Sequence, residues 1–284
     1  MAVLLALLSA FAYGTSDFIG GVISSRIPPW TAAFCSQVTG AAALAVLAGV
    51  HGGSLSPAGA AWGALSGVGS GVGLSFLYRG LSSGRMGVVA PTSGVLAALV
   101  PAAVGVLTGD RPSSLAWAGI VLAVPATFLV AREPSADRPG GSPAGPSGAR
   151  SGLTDGLLAG CGFGVGFAAI AKAPAEDGFW PVSLSLLVGA VVVIAGATVA
   201  RGDWVPRNAT AALSTSTGIL AAAALALFLQ SLSHGMLAIS AVIAALYPAA
   251  TVLLAVTVLR EHVHRVQAVG LGLCALAVAL VAAG

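Results

Sequence analysis

The sequence predicts an all-α integral membrane protein of ten transmembrane helices, built as two inverted five-helix repeats. Three observations carry that prediction. The 284 residues are 57% hydrophobic and only 7% charged, with a mean hydropathy of +0.98, whereas a soluble domain carries about 25% charged residues. Too little polar surface is left to clothe a water-soluble globule. Apolar runs of roughly 18–24 residues recur along the whole chain, the length needed to cross a hydrocarbon core about 30 Å thick. Finally, the stretch 94–101 (GVLAALVP) has a twin at 241–248 (AVIAALYP), 147 positions later. Both stretches are apolar, both end in proline, and a pattern repeated half a chain apart marks a duplication.

The spans fall at about 2–24, 30–50, 57–79, 86–108, 113–131, 153–173, 180–200, 209–232, 235–258 and 264–283. The first begins like a secretory leader, but no basic segment precedes residues 2–8 and the apolar run continues, so it reads as a transmembrane helix. The second and seventh open on Trp30 and Trp180, 150 positions apart, which read as interfacial anchors. The third carries Gly63, Gly67 and Gly71 at four-residue spacing, interleaved with Gly69 and Gly73; the sixth repeats the device with Gly160, Gly162, Gly164 and Gly166. Small residues let backbones approach closely, inside one chain or at a homodimer face through Gly63, Gly67 and Gly71. The fourth and ninth spans hold the twin stretches. Pro91, Pro101 and Pro248 each remove a backbone hydrogen bond and free a carbonyl one turn earlier. Such carbonyls are tolerated at membrane depth only against protein or a wet cavity. Pro125 in the fifth span has no twin and reads as a kink.

Residues 132–152 (REPSADRPGGSPAGPSGARSG) are rich in Pro, Gly and Ser and read as a flexible linker between a first repeat, 1–131, and a second, 153–284. Other pairs keep nearly constant spacing across that linker. Gly14 matches Gly164 at 150 positions, 74–84 matches 225–235 at 151, and Asp110 and Gly119 match Glu261 and Gly270 at 151. An odd number of spans per repeat sets the two copies in opposite orientations, with a substrate site near the midplane between them.

The basic residues are scattered singly, which argues against a nucleic-acid partner despite a net charge of +3. Ten of the twelve, namely Arg26, Arg79, Arg85, Arg132, Arg138, Arg150, Arg201, Arg207, Arg260 and Arg265, follow odd-numbered spans, and only Arg111 and Lys172 lie opposite. The positive-inside rule puts the linker in the cytoplasm and both termini outside, in a cytoplasmic membrane. Cys35, Cys161 and Cys274 lie in apolar runs and read as packing residues.

Several motifs in this order resemble the drug/metabolite transporter superfamily, EamA type. They are 13–18 (YGTSDF), 77–81 (LYRGL), 86–101 (MGVVAPTSGVLAALVP) with 109–112 (GDRP), and 246–248 (LYP) followed by 259–261 (LRE) and Gly270. The likeness covers nearly all of the chain except the linker, and Asp110 stands where the family more often has Glu. The resemblance implies a secondary transporter, often an exporter, of amino acids, other metabolites or drugs. Many members keep both termini in the cytoplasm, the reverse of the Arg/Lys count.

Asp17 is the acid placed well inside a span, about 10 Å from the cytoplasmic end of the first helix at 1.5 Å per residue. It must face the bundle interior, pair with a cation or be protonated. It reads either as a proton-coupling or substrate-amine site, or as a structural partner of Arg79 or Arg26. Tyr13 is one turn away and shares its face. Phe167 stands at its repeat position. Thr92, Ser93, Ser240 and Tyr247 flank the prolines and offer hydrogen bonds to a pathway; against this, the prolines read equally well as packing kinks. Tyr78, Gln37 and Gln230 read as packing or interface residues. His262 and His264 are two apart and do not share a helix face, and no nucleophile elbow, phosphate loop or metal motif is found. No cofactor or enzymatic activity is expected. The partners expected are the lipid bilayer, a small-molecule substrate and protons. The lining leans toward neutral, zwitterionic or apolar solutes. A non-transporting scaffold or an intramembrane enzyme is the alternative.

Overall fold

A computed structural model describes residues 1–24, 27–82, 86–131, 146–207, 209–258 and 265–284. Its helices are α1 (Ala2–Ser24), α2 (Pro29–His51), α3 (Pro57–Ser82), α4 (Met86–Leu107), α5 (Ser114–Ala131), α6 (Pro146–Ile170), α7 (Trp180–Val199), α8 (Ser214–Leu232), α9 (Leu237–Ala244), α10 (Tyr247–Val258) and α11 (Arg265–Ala283). Among the described residues there is no strand. Eight helical stretches are long and apolar enough to cross a membrane, one of them running through both α9 and α10; Thr92–Leu107 and Ser114–Val130 are apolar but shorter. Side chains such as Leu8, Phe11, Val121, Val191 and Val269 are exposed, as expected where lipid rather than water is the solvent.

Two boundaries differ from the sequence expectation. α6 begins at Pro146, inside the segment expected to be linker, with a proline in the first turn, where its missing N–H costs no helical hydrogen bond. The ninth span divides. Ala245 donates to Ala241 O at 2.9 Å, Leu246 to Ile243 O at 3.1 Å and Ala249 to Leu246 O at 2.9 Å, so two tight turns separate α9 from α10. Pro248 has no N–H to offer the carbonyl of Ala244, which is the physical cause of a weak point there. α4, by contrast, is helical on both sides of Pro101.

The packing is reciprocal. α1 packs on α8, α9 and α10; α6 packs on α3 and α4. α2 packs on α7 and α8, α3 on α6 and α7, and α5 on α11. Exchanging the two halves (α1 for α6, α2 for α7, α3 for α8, α4 for α9 and α10, α5 for α11) leaves this pattern unchanged. Gly63, Gly67 and Gly71 are buried against α7. A Cβ on Gly63 would lie 2.5 Å from Pro181 O, one on Gly71 2.6 Å from Val192 Cβ, and Gly67 meets Ser185 and Val188. That stripe is an intramolecular seam, the first of the two readings its spacing allowed. Gly69 and Gly73 face α6 instead. Of the cysteines, Cys274 is buried, Cys35 is intermediate and Cys161 is exposed, so Cys161 is not a packing residue.

Polar links fasten one half to the other at the helix ends. The hydroxyl of Ser56, just before α3, donates to Asp177 Oδ2 at 2.7 Å and its N–H does so at 3.0 Å, while Gly59 N–H donates to Ser56 Oγ at 3.0 Å. Asp110, between α4 and α5, accepts from the N–H of Ala238 in the first turn of α9 at 2.8 Å. A carboxylate is well placed there, against unpaired N–H groups and the positive end of a helix. Gly105 leaves room for it: a Cβ would sit 2.5 Å from Asp110 Oδ2. Lys172 Nζ donates to Thr108 Oγ1 at 2.8 Å beside it.

Candidate functional site

Helix α1 sets Tyr13 and Asp17 on one face, four residues apart, and brings them to the junction of the two halves. Three bonds hold α1 there. Ser9 donates to Ala224 O at 2.7 Å and Ser16 to Thr217 O at 3.0 Å, both on α8, and Thr251 of α10 donates to Gly14 O at 3.1 Å. Gly14 permits the approach to α10, because a Cβ would lie 2.5 Å from Ala250 Cβ and 2.6 Å from Tyr247 O. Its match Gly164 meets α4 in the same way, with a Cβ 2.5 Å from that of Val100.

Four rings from four helices form a connected group that includes Tyr13, one turn from Asp17. Tyr13 meets Phe167 of α6 edge to face at 5.9 Å, and Tyr247 at the start of α10 at 6.3 Å; Phe167 meets Phe228 of α8 at 5.1 Å. Tyr13 is one helical turn from Asp17, and Tyr247 packs against Tyr13. Asp17 itself is exposed. Among the described residues it has neither an ion pair nor a hydrogen bond. The proposed structural partner Arg79 is taken. It donates from Nε to Asp155 Oδ1 at 3.0 Å, forms a second contact from its terminal nitrogen, and lies 4.4 Å over the ring of Phe76. Arg26, the other suggested partner, lies outside the described residues.

The other expected site residues are placed as follows. Tyr247 joins the aromatic group. Thr92 and Ser93 lie in the contact between α4 and α6, where a Cβ on Gly156 would be 2.8 Å from Thr92 Cβ and one on Gly160 2.7 Å from Ser93 O. Ser240 is fully buried in α9, and its hydroxyl has no partner among the described residues. Pro248 follows the break, and its ring is 4.0 Å from a Cβ built on Gly94 of the twin stretch. Pro101 is buried within continuous α4. The side chains of Pro91 and Tyr78 lie outside the described residues, as do Arg85, Arg132, Arg138, Arg260, Glu261, His262, His264 and the linker as far as residue 145.

Sequence reasoning missed Asp155, a buried carboxylate on α6 with Arg79 as its cation, and Phe228, the fully buried ring that closes the aromatic group. An acid in the first turns of an apolar helix was the available signal for Asp155. Among the described residues no group of His, Cys, Asp and Glu is arranged to hold a metal ion.

Accessibility changes along the ninth span. Residues Ala241, Val242, Ile243, Ala244, Ala245 and Leu246 are all buried, while Tyr247, Pro248, Ala249 and Ala250 are partly accessible. A polytopic bundle with an acid at span depth that has no cation partner among the described residues, at the meeting of two matched halves, has the organisation of a membrane carrier. The model of the EamA-like transporter family matches residues 1–132 and 150–283. The chain belongs to this family. The gap in that match falls where the linker was expected. EamA-like proteins are membrane transporters of the drug/metabolite type, and this chain is a multi-pass membrane protein of that kind. A solved structure described only as "Crystal structure of protein" shares the fold, with a TM-score of 0.73 at 17% identity over 98% of this chain and 95% of the other. No curated protein matches.

Proposed function

We propose that this EamA-like protein is a secondary active exporter of a small organic solute, a metabolite, amino acid or drug, across the cytoplasmic membrane. It works by alternating access between two inverted five-helix repeats, and protons are the coupling ion. The observation that carries this reading is the unpaired Asp17 carboxylate beside Tyr13 and Tyr247. A charge at span depth is costly unless it has a function or a partner, and Asp17 has no partner among the described residues. It can take up a proton, or receive the ammonium of a substrate, in exchange for the other.

The reciprocal packing supports two repeats that rock against each other. The burial of all of α9 but Ile239 and the Asp110 and Lys172 links support a state sealed on the side of the α4–α5 loop. The partial exposure of Asp17 and of the start of α10 supports access from the linker side, which the Arg/Lys count assigns to the cytoplasm. The sparse charge around the aromatic group favours neutral, zwitterionic or amine-bearing solutes over phosphorylated ones.

Counterflow in proteoliposomes tests the transport reading. Vesicles loaded with one member of a panel of neutral amino acids, amines and aromatic drugs should take up the labelled form of at least one of them at ten times or more the rate of protein-free vesicles. Uptake at the protein-free rate across such a panel would count against a carrier and favour a scaffold.

A further inference from the structure

Two clefts adjoin one another at a second place, away from Asp17. Thr31 at the start of α2 donates to Asp203 O at 2.9 Å, and Trp30 packs against Gly202, so the α1–α2 and α7–α8 connections meet. Between them is a cleft of about 130 Å³ whose polar groups are Thr31, Asp203 and Arg207. Arg207 donates to Asp203 at 3.1 Å, yet their side chains are 68% and 51% exposed, so each keeps capacity for a further bond. Ala211 also lines a second, larger cleft of about 350 Å³, which is walled chiefly by Phe34, Cys35, Val38, Pro206 and Ala212. Phe34 stacks edge to face with Trp204 at 5.2 Å, and aromatic rings of this kind sit at the level of lipid headgroups.

A polar cleft holding one cation and one anion, continuous with an apolar cleft on the outside of the bundle, has the division of an amphiphile. We propose that these clefts together bind one zwitterionic aminophospholipid, with the headgroup at Asp203 and Arg207 and an acyl chain along Phe34, Cys35 and Val38. The guanidinium of Arg207 donates to the phosphate, and the primary ammonium donates to the Asp203 carboxylate, both as charge-assisted hydrogen bonds. A choline headgroup has no N–H to give Asp203. A singly anionic headgroup meets that carboxylate with like charge. The acyl chain contributes by burial of apolar surface. The site depends only on the chain lying in a bilayer, so it stands or falls apart from the transport reading.

The test is native mass spectrometry of the full-length protein released from nanodiscs of phosphatidylcholine alone, or of phosphatidylcholine mixed equally with phosphatidylethanolamine or with phosphatidylglycerol. The expected result is one retained phosphatidylethanolamine, in at least tenfold excess over phosphatidylcholine. That preference should be lost in Asp203→Asn and in Arg207→Gln, and retention as a whole should fall in Val38→Trp, which fills the apolar cleft from an exposed position. Thermal unfolding of each variant checks that it is folded. Equal retention of the lipids, a preference for phosphatidylglycerol, or retention unchanged in all three folded variants would overturn the proposal. So would displacement of the lipid by free phosphoethanolamine at equal concentration, which would leave the apolar cleft without a role.

Discussion

Asp17 and Asp155 are both carboxylates on membrane-spanning helices, and the fold treats them in opposite ways. Asp155 is 1% exposed and fastened to Arg79. Asp17 is accessible and has no partner among the described residues. The acid at Asp17 was legible in the sequence because it interrupts an apolar run. The Asp155 pair was not, since its partners are 76 positions apart and meet only when α3 packs on α6. Gly14 and Gly164 show the opposite case, where a spacing of 150 positions in the string does foretell a shared role. Each lets its helix touch the proline-bearing helix of the other half. Gly14→Ala and Gly164→Ala should therefore each lower stability by about 1–3 kcal/mol, the cost of overpacking a close seam. Thermal unfolding in detergent checks this, and a change below about 0.5 kcal/mol in either variant would mean that the seams are looser than described.

At the level of elements, hydropathy placed the helices well because length and apolarity are properties of the string. The division of the ninth span was not legible. The stretches 94–101 and 241–248 are alike, each running through Ala-Ala-Leu and one further residue into a proline, and neither announces which will part. The difference lies in what surrounds them. α9 is held at its first turn by Asp110, and the carbonyl of Tyr247 abuts Gly14, whereas Val100 packs its side chain on Gly164. An interrupted helix beside the aromatic group gives a natural place for a hinge. Pro248→Ala restores an N–H to the Ala244 carbonyl and should join α9 to α10. The expected outcome is unfolding at an equal or higher temperature together with a tenfold or greater loss of counterflow, while Pro101→Ala has the smaller effect on flux. Full counterflow in Pro248→Ala would remove the hinge from the account.

For the whole molecule, duplication explains more than any single motif. Exchange of the halves preserves the main contacts between them, so Asp17 and Phe167, which occupy matched positions, both arrive at the aromatic group between the halves. One is a carboxylate and the other a hydrocarbon ring, and at this position the symmetry gives way to chemistry. The sequence foretold two matched halves, and it singled out Asp17 as the candidate acid. Thr92 and Ser93 lie at the α4–α6 seam, a placement the string does not reveal, because a hydroxyl in an apolar run looks the same whether it faces a pathway or a neighbouring helix. The central claim is that protons reach and leave Asp17 during turnover. The most direct measurement is accumulation of the transported solute in proteoliposomes after an imposed pH gradient, for the wild type and for Asp17→Asn. Gradient-driven accumulation is expected of the wild type, and none of Asp17→Asn although the variant is folded in the same membrane. Accumulation by Asp17→Asn equal to that of the wild type would contradict it.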